Sequence, residues 1–425
     1  DRYLAKVDRS SGDFMIDLQL TPVSWQIMMV AACAAAACGL LGVQLVLRRR
    51  AMLGDAIAHG VLPGLVIGFV VSGSRDLFPM LVGALIAAIF VSILAEWLRE
   101  HAGVDGGAAL GVVFTSLFAL GIILIEIFAR DVDLDAGCVL YGMVEYAPIH
   151  QVEWFGYSVP RSLTPVLGAL LLNLGATVLF WKEWKLCAFD PQLARASRLP
   201  FQTLEQGLLV LVAITSVACF EAVGSVLVIA MIAVPATIGH VLCDRMSSMV
   251  IVSTLAGVVS AVLGTVGAIQ LETGVPGMMA VSSGGLLVGA VLLAPGRGLI
   301  PAATRNFSWT MRVEMEDILA ESHLQSMDSP PDHTDSAGAP SSRFFRILAT
   351  WLLWTLGYIR NGIPVGRGER MARTLLKKRS LWKRFAAERM GLASDHLDEP
   401  AHRIEHHLDD DLTRRLESGF ESEED

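Results

Sequence analysis

LRRRAMLGDAIAHGVLPG, residues 47–64, lies between two apolar runs too long for a soluble core, and its reading decides the fold. It sets Asp55 and His59 four residues apart, so a helix there carries an acid and an imidazole on one face. An ionisable pair beside a membrane-embedded helix is costly enough to count as a functional hypothesis by default. A carboxylate with a neutral imidazole suits first-row divalent ions, so metal passage is the reading that follows. The competing reading is structural, with Asp55 capping a helix N-terminus and His59 hydrogen-bonded to a neighbouring helix. One pair supplies too few ligands for a tight site, which suits a site that must also release its ion, and symmetry-related pairs from two subunits would complete the shell.

Outward from this segment, 53% of the 425 residues are hydrophobic and only 18% charged, which excludes both a typical soluble enzyme and a disordered chain. Nearly all long apolar runs precede Pro295 and nearly all dense charge follows Arg297, giving a membrane part and a polar tail. The net charge of -9 owes much to the terminal ESGFESEED and does not point to nucleic acid. The six cysteines, at 33, 38, 138, 187, 219 and 243, contain no CxxC and mostly fall in apolar runs, so buried thiols are expected rather than a disulfide or zinc framework. The sequence has no P-loop, HExxH or GxSxG, and no enzymatic engine is expected in it. Its first residues show no cleavable-signal pattern, and residues upstream of Asp1 are expected.

At roughly 20 apolar residues per crossing, about nine spans are expected, near 25–47, 56–73, 77–98, 108–128, 163–181, 203–221, 223–242, 247–268 and 275–295. Only Glu221 and Gly224 divide the sixth from the seventh, and eight spans would invert the tail. If the chain enters from outside, the inner loops hold Arg48, Arg49, Arg50, Arg99, Lys182, Lys185, Arg195, Arg198 and Arg245. The outer loops then hold only Arg75, Arg130 and Arg161, and nine positive residues against three favour that sense. Arg2, Lys6 and Arg9 argue weakly the other way. The loop 129–162, with Asp131, Asp133, Asp135, Glu145 and Glu153, would face outward. Small residues recur within the spans, as in GALIAAIF, GVVSAVLGTVGA and SSGGLLVGA, which suits a packed bundle. The expected organisation is an extracytoplasmic segment 1–24, a membrane domain 25–300, the start of a cytoplasmic tail 301–324, a polar linker 325–342 and a helical region 343–425. Within the last, FFRILATWLLWTLGYI (344–359) is short for a tenth span and holds Arg346, so a buried or interfacial helix is expected.

Other candidates carry chemistry. Glu221 is an acid inside an apolar run, and either belongs to the ion route or, protonated, satisfies backbone groups freed at a helix break. His240, at an inner membrane edge, reads as structural. FDPQLARASRLP (189–200) and PATIGHVLCDRM (235–246) read as short amphipathic helices between spans, which either receive motion from a cytoplasmic partner or cap the bundle. In the tail, His402, Glu405 and His406 stand at i, i+3 and i+4 of a helix, one face with ligand chemistry, against the alternative of a solvated charged helix. A basic patch, Lys377 to Arg384, is compatible with DNA or anionic lipid and diagnostic of neither.

These pieces resemble the permease subunits of the ABC importers for manganese, zinc and iron(II). The matching stretches are LRRRAMLGDAIAHGVLPG, DGGAALGVVFTSLFALGIILIEIF followed by DVDLDAGCVLYG, then KLCAFDPQLARASRLP, and FEAVGSVLVIAMIAVPATIGHVLCDR. They span nearly all of 25–300 in the family's order. The resemblance implies an all-helical fold similar to type II importer permeases, seated in a bacterial inner membrane. It also implies two permease subunits, two ATP-hydrolysing subunits and an external metal-binding protein, with ATP used in another chain and no cofactor held permanently. The stretch from Pro235 and Ala236 through His240 to Asp244 and Arg245 looks like the helix that couples to the ATPase, although His240 departs from the arginine common there. The tail is similar to iron- and manganese-dependent repressors in MEDILAESH (315–323), GERMARTLLKKRSLWKRFAAERMGL (368–392) and EPAHRIEHHLDDDLTRRLE (399–417). Where those repressors offer an upstream histidine and glutamate, Arg379 and Lys383 stand here, and the DNA-touching helix and wing look shortened or absent. The reading is therefore a metal permease, manganese first and zinc or iron(II) next, with DNA not expected as a partner. Its rivals are a membrane-tethered metal sensor and a secondary-active metal transporter.

Overall fold

The structure, a computed structural model, describes residues 22–73, 77–128, 144–148, 151–154, 157–197, 199–327, 343–392 and 397–424. Asp131, Asp133, Asp135, Cys138, the first 21 residues and most of the polar linker lie outside them. The chain divides into two compact units, Asp1–Leu299 and Ile300–Asp425.

In the first unit, α1 (Pro22–Leu47) is followed by α2 (Met52–Gly60), α3 (Leu62–Ser72), α4 (Leu77–Ala102) and α5 (Gly106–Phe128). An antiparallel hairpin of β1 (Gln151–Trp154) and β2 (Tyr157–Pro160) precedes α6 (Leu163–Leu179), α7 (Trp181–Phe189) and α8 (Pro191–Ala196). Then come α9 (Phe201–Val223), α10 (Ser225–Leu242), α11 (Met246–Leu271) and α12 (Val275–Leu293). Among the described residues seven helices, α1, α4, α5 and α9 to α12, are long and apolar enough to cross a membrane. The pair α6 and α7 qualifies jointly and is bent by 75°. The expected second span is divided at Val61 into α2 and the short apolar α3, so seven helices, or eight with the bent pair, stand against the nine expected crossings among the described residues.

Close approach of backbones organises this bundle. Helix α1 packs against α10 and α11 along its small residues. A Cβ on Gly42 would overlap the carbonyl oxygen of Ile232, and one on Gly39 would lie 3.3 Å from Thr254 Cα. Without a hydrophobic drive between helices in lipid, such small-residue contacts and interhelical hydrogen bonds do the packing. Buried Asn173 of α6 donates to the Ala37 carbonyl (3.1 Å) and to Thr215 Oγ1 (2.8 Å), joining α6, α1 and α9, while Ser253 Oγ donates to the Gly39 carbonyl at 3.1 Å.

At Gly224, φ +79° and ψ 158° are values open to glycine alone, and they divide the continuous apolar run into α9 and α10. The stretch 235–246 is not a separate helix between spans. Residues 235–242 form the end of α10, with Pro235 and Ala236 buried inside the bundle. At 1.5 Å per residue the 18 residues of α10 reach about 27 Å, so this half is needed to cross. Glu145, expected in the outward loop, accepts from the backbone N–H of Val275 at 2.7 Å and so caps α12.

The second unit holds α13 (Leu299–Ser326), α14 (Arg343–Thr355), α15 (Arg367–Met390), α16 (Asp398–Glu405) and α17 (Asp410–Glu424), and a small core of Met311, Ile318, Leu319, Ala349, Leu353 and Ala372 joins the first three. Between α14 and α15 lies a hairpin of two-residue strands, β3 (Ile359–Arg360) and β4 (Ile363–Pro364). Asn361 and Gly362 turn it with φ of +50° and +81°, the sign that a two-residue hairpin turn requires. Among the described residues of the tail it is the only strand pairing. The run expected to be buried or interfacial forms α14, with Ala349 and Leu353 buried and Phe344, Ile347, Trp351 and Trp354 exposed.

Candidate functional site

The three arginines that open the decisive segment fix its geometry. Helix α1 ends at Leu47, Arg49 takes φ +57°, and the chain turns back. Arg48 Nη1 meets Glu205 Oε1 at 2.5 Å and Arg50 Nη1 meets Glu205 Oε2 at 2.6 Å, so both guanidiniums clamp one carboxylate near the start of α9. The Arg48 and Glu205 side chains are only 5% and 13% exposed, which makes this a largely desolvated pair. Burial lowers the Arg48 pKa, and the Glu205 charge opposes that shift.

From this anchored turn α2 runs into the bundle against α4, α5, α9 and α10. Gly60 admits it beside Val91 of α4, since a Cβ there would crowd the valine Cγ2 at 2.6 Å. Ala56 and Ile57 are buried, and His59 is half-buried against two rings of α5. Its imidazole lies 5.4 Å from the Phe118 ring, edge to face, and 6.1 Å from that of Phe114. Neither phenylalanine stands out in the sequence as a partner of His59, because no local spacing links residues so far apart. Asp55 sits one turn before His59 within α2, while the N-cap position is Ala51, so the capping alternative for Asp55 does not hold. The side chains of Asp55 and Glu221 are outside what the structure describes; Glu221 stands three residues before the break at Gly224. A helix that carries an imidazole and a carboxylate position inside a membrane bundle can relay a divalent ion.

The inner-side segments converge as well. Asp190 caps α8, its Oδ1 accepting from Leu193 N–H at 2.9 Å, with Pro191 at the first helical position. A groove of about 420 Å³ brings Trp181, Lys185 and Phe189 of α7 beside Asp244 and Arg245 of the turn between α10 and α11 and Met246 at the start of α11. His240 is exposed, and Asp244 pairs with Arg297 at 2.5 Å on the open surface. The accessible part of the sequence candidate for coupling is thus His240, Asp244 and Arg245, without the buried Pro235 and Ala236.

In the tail, His402, Glu405 and His406 meet a residue not expected from the sequence, Asp317 of α13, with one ligand atom of each within 4.8 Å of the others. His406 Nδ1 lies 2.7 Å from Glu316 Oε2, and its Nε2 lies 3.2 Å from Asp317 Oδ1. Burial opposes charge on the His406 ring, but its contacts with Asp317 and Glu316 and the charges of Asp317 and Glu405 outweigh it, pushing the pKa up to about 9. Burial likewise raises the Glu316 carboxyl, yet hydrogen bonds from His406 and Arg312 hold it below its usual range. Arg379 of α15 also enters the cluster, donating Nε to Glu405 Oε2 at 2.6 Å and Nη2 to Glu405 Oε1 at 2.7 Å.

Comparison with known proteins fits this arrangement. Residues 366–421 match the family described as iron dependent repressor, metal binding and dimerisation domain. Over 272 residues the chain is 39% identical to the manganese transport system membrane protein MntD of Bacillus subtilis, covering 64% of this chain and 92% of that protein. It is 36% identical to the zinc transport system membrane protein TroD of Treponema pallidum, covering 65% and 76%. The solved structure of PsaBC from Streptococcus pneumoniae in complex with Fab superposes with a TM-score of 0.57 at 24% identity, over 66% of this chain and 95% of that one, which speaks for the fold. Residues 22–294, the whole helical bundle with its anchored α2, match the ABC 3 transport family, and the chain belongs to that family of multi-pass membrane proteins.

Proposed function

We propose that this chain is the permease subunit of an ATP-driven importer for a divalent transition metal, manganese first and zinc or iron(II) next. The observation that carries the reading is α2, which places a half-buried imidazole and, one turn away, a carboxylate position inside a membrane bundle. That donor pair suits all three metals, and relatives at 39% and 36% identity are named for manganese and zinc transport. In the cycle an external metal-binding protein delivers the ion, and the Asp55/His59 pairs of two permease subunits pass it along the dimer axis. ATP hydrolysis in partner subunits alternates access. The groove between α7 and the turn at Asp244 and Arg245 supports docking of the ATPase there, since two inner-side segments meet in one concave surface. With the N-terminus outside, that surface and the tail both face the cytoplasm.

The test is uptake of radioactive manganese by whole cells carrying Asp55→Ala or His59→Ala. Both variants should lose uptake while still assembling with the ATPase, because the residues act as ligands rather than as packing groups. Normal uptake by both removes the assignment.

A further inference from the structure

Asp317, His402, Glu405 and His406 offer four donors within one cluster, the set a divalent ion would need. A fifth side chain already occupies two of them. The Arg379 guanidinium accounts for both oxygens of Glu405, at 2.6 and 2.7 Å, in the forked geometry that matches a carboxylate. The same Nη2 lies 2.8 Å from His402 Nδ1, and a guanidinium only donates, so the single lone pair of that nitrogen accepts from Arg379. The Glu405 side chain is fully buried and that of Arg379 is 14% exposed, so the pair is largely shielded from water. Of the atoms with a contact inside the cluster, Asp317 Oδ1 and His406 Nε2 remain, 3.2 Å apart, and two donors fall short of the four of a closed site. A divalent ion among them would also stand beside a cation that does not deprotonate. The residues present therefore do not fit a bound divalent metal, in contrast to what the description of the matched domain implies.

We propose that Arg379 is the built-in cation of this cluster, its guanidinium tying Glu405 and His402 of α16 to α15 in place of a metal. The packing of α16 on α15 then holds at any metal concentration, and this cluster does not report metal levels. Lys378 reinforces the same joint by donating Nζ to the Leu408 carbonyl at 2.6 Å.

The test is hydrogen–deuterium exchange of the 397–408 amides in the full-length chain, reconstituted in lipid nanodiscs, with EDTA and then with excess manganese(II), zinc(II) or anaerobic iron(II). Protection should be the same in every condition. Arg379→Ala should lower it by about tenfold or more, because a buried carboxylate loses its partner. A wild-type chain whose protection rises by that factor with metal and falls back with EDTA overturns the proposal, as does an Arg379→Ala chain protected like the wild type. The wild-type comparison decides the matter whether or not the variant folds.

Discussion

Replacing Glu205 by alanine should destabilise the membrane unit and dislodge the helix that carries Asp55 and His59. Glu205 serves two guanidiniums, and their shares differ. The Arg50 side chain is 35% exposed, so water replaces much of what it loses, and its share is about 0.5 kcal/mol. Arg48 dominates, because it is 5% exposed and its Nε and Nη2 have no hydrogen-bond partner among the described residues. Without Glu205 that charge stays buried and unpaired, a situation that costs about 3–5 kcal/mol in proteins, and the 13% exposure of Glu205 favours the lower end. A total near 3.5 kcal/mol corresponds to a fall in melting temperature of roughly 5–6 °C for a unit that runs from Asp1 to Leu299. Melting followed by size-exclusion chromatography in one detergent measures it, and initial rates of manganese uptake measure the functional consequence. Glu205→Gln should fall in between, since an amide oxygen can still accept from one arginine. In a double-mutant cycle with Arg48→Ala, the two losses should overlap by more than about 1 kcal/mol. Additive losses, or an alanine variant that melts within about 1 °C of the wild type, would refute the clamp.

Three further outcomes are expected. In an otherwise cysteine-free chain, an impermeant thiol reagent added to intact cells should label Asp135→Cys and spare Asp190→Cys; the reverse pattern inverts the topology. Truncation after Leu299, where the first compact unit ends, should leave uptake largely intact, and its loss would make the tail part of the transport machinery. The His406 pKa is raised from 6.5 to about 9, so its contribution to the tail, at most about 3 kcal/mol, is fully present below pH 6.5 and lost as pH rises through 9. Glu316 has a lowered pKa and contributes with the opposite sense, its share vanishing as pH falls below its ordinary value of 4.5. Exchange protection of α16, corrected for intrinsic rates, should therefore fall between pH 6.5 and 10 in the wild type, and a His406→Gln chain with the same pH profile would assign the effect elsewhere.

The sequence by itself determined the helical membrane bundle, because lipid leaves a spanning backbone no partner except itself and each crossing needs a long apolar run. It also placed Asp55 and His59 one turn apart, since that spacing depends only on helical periodicity. What it could not locate were ends and partners set by packing. The helix through Pro235 continues to Leu242 because neighbouring helices bury it, and the apolar composition of 225–242 does not say where it stops. Glu205 stands 155 residues from Arg50, so their pairing exists only once α1 and α9 lie side by side. The tail gives the sharpest case. The sequence displayed ligand-type residues at helical spacing and two cations at unexpected positions, but only the tertiary structure brings Asp317 into the set and lays the Arg379 guanidinium across Glu405. Periodicity orders the residues along one helix, whereas charge partners between helices are chosen by which faces the packed core leaves together.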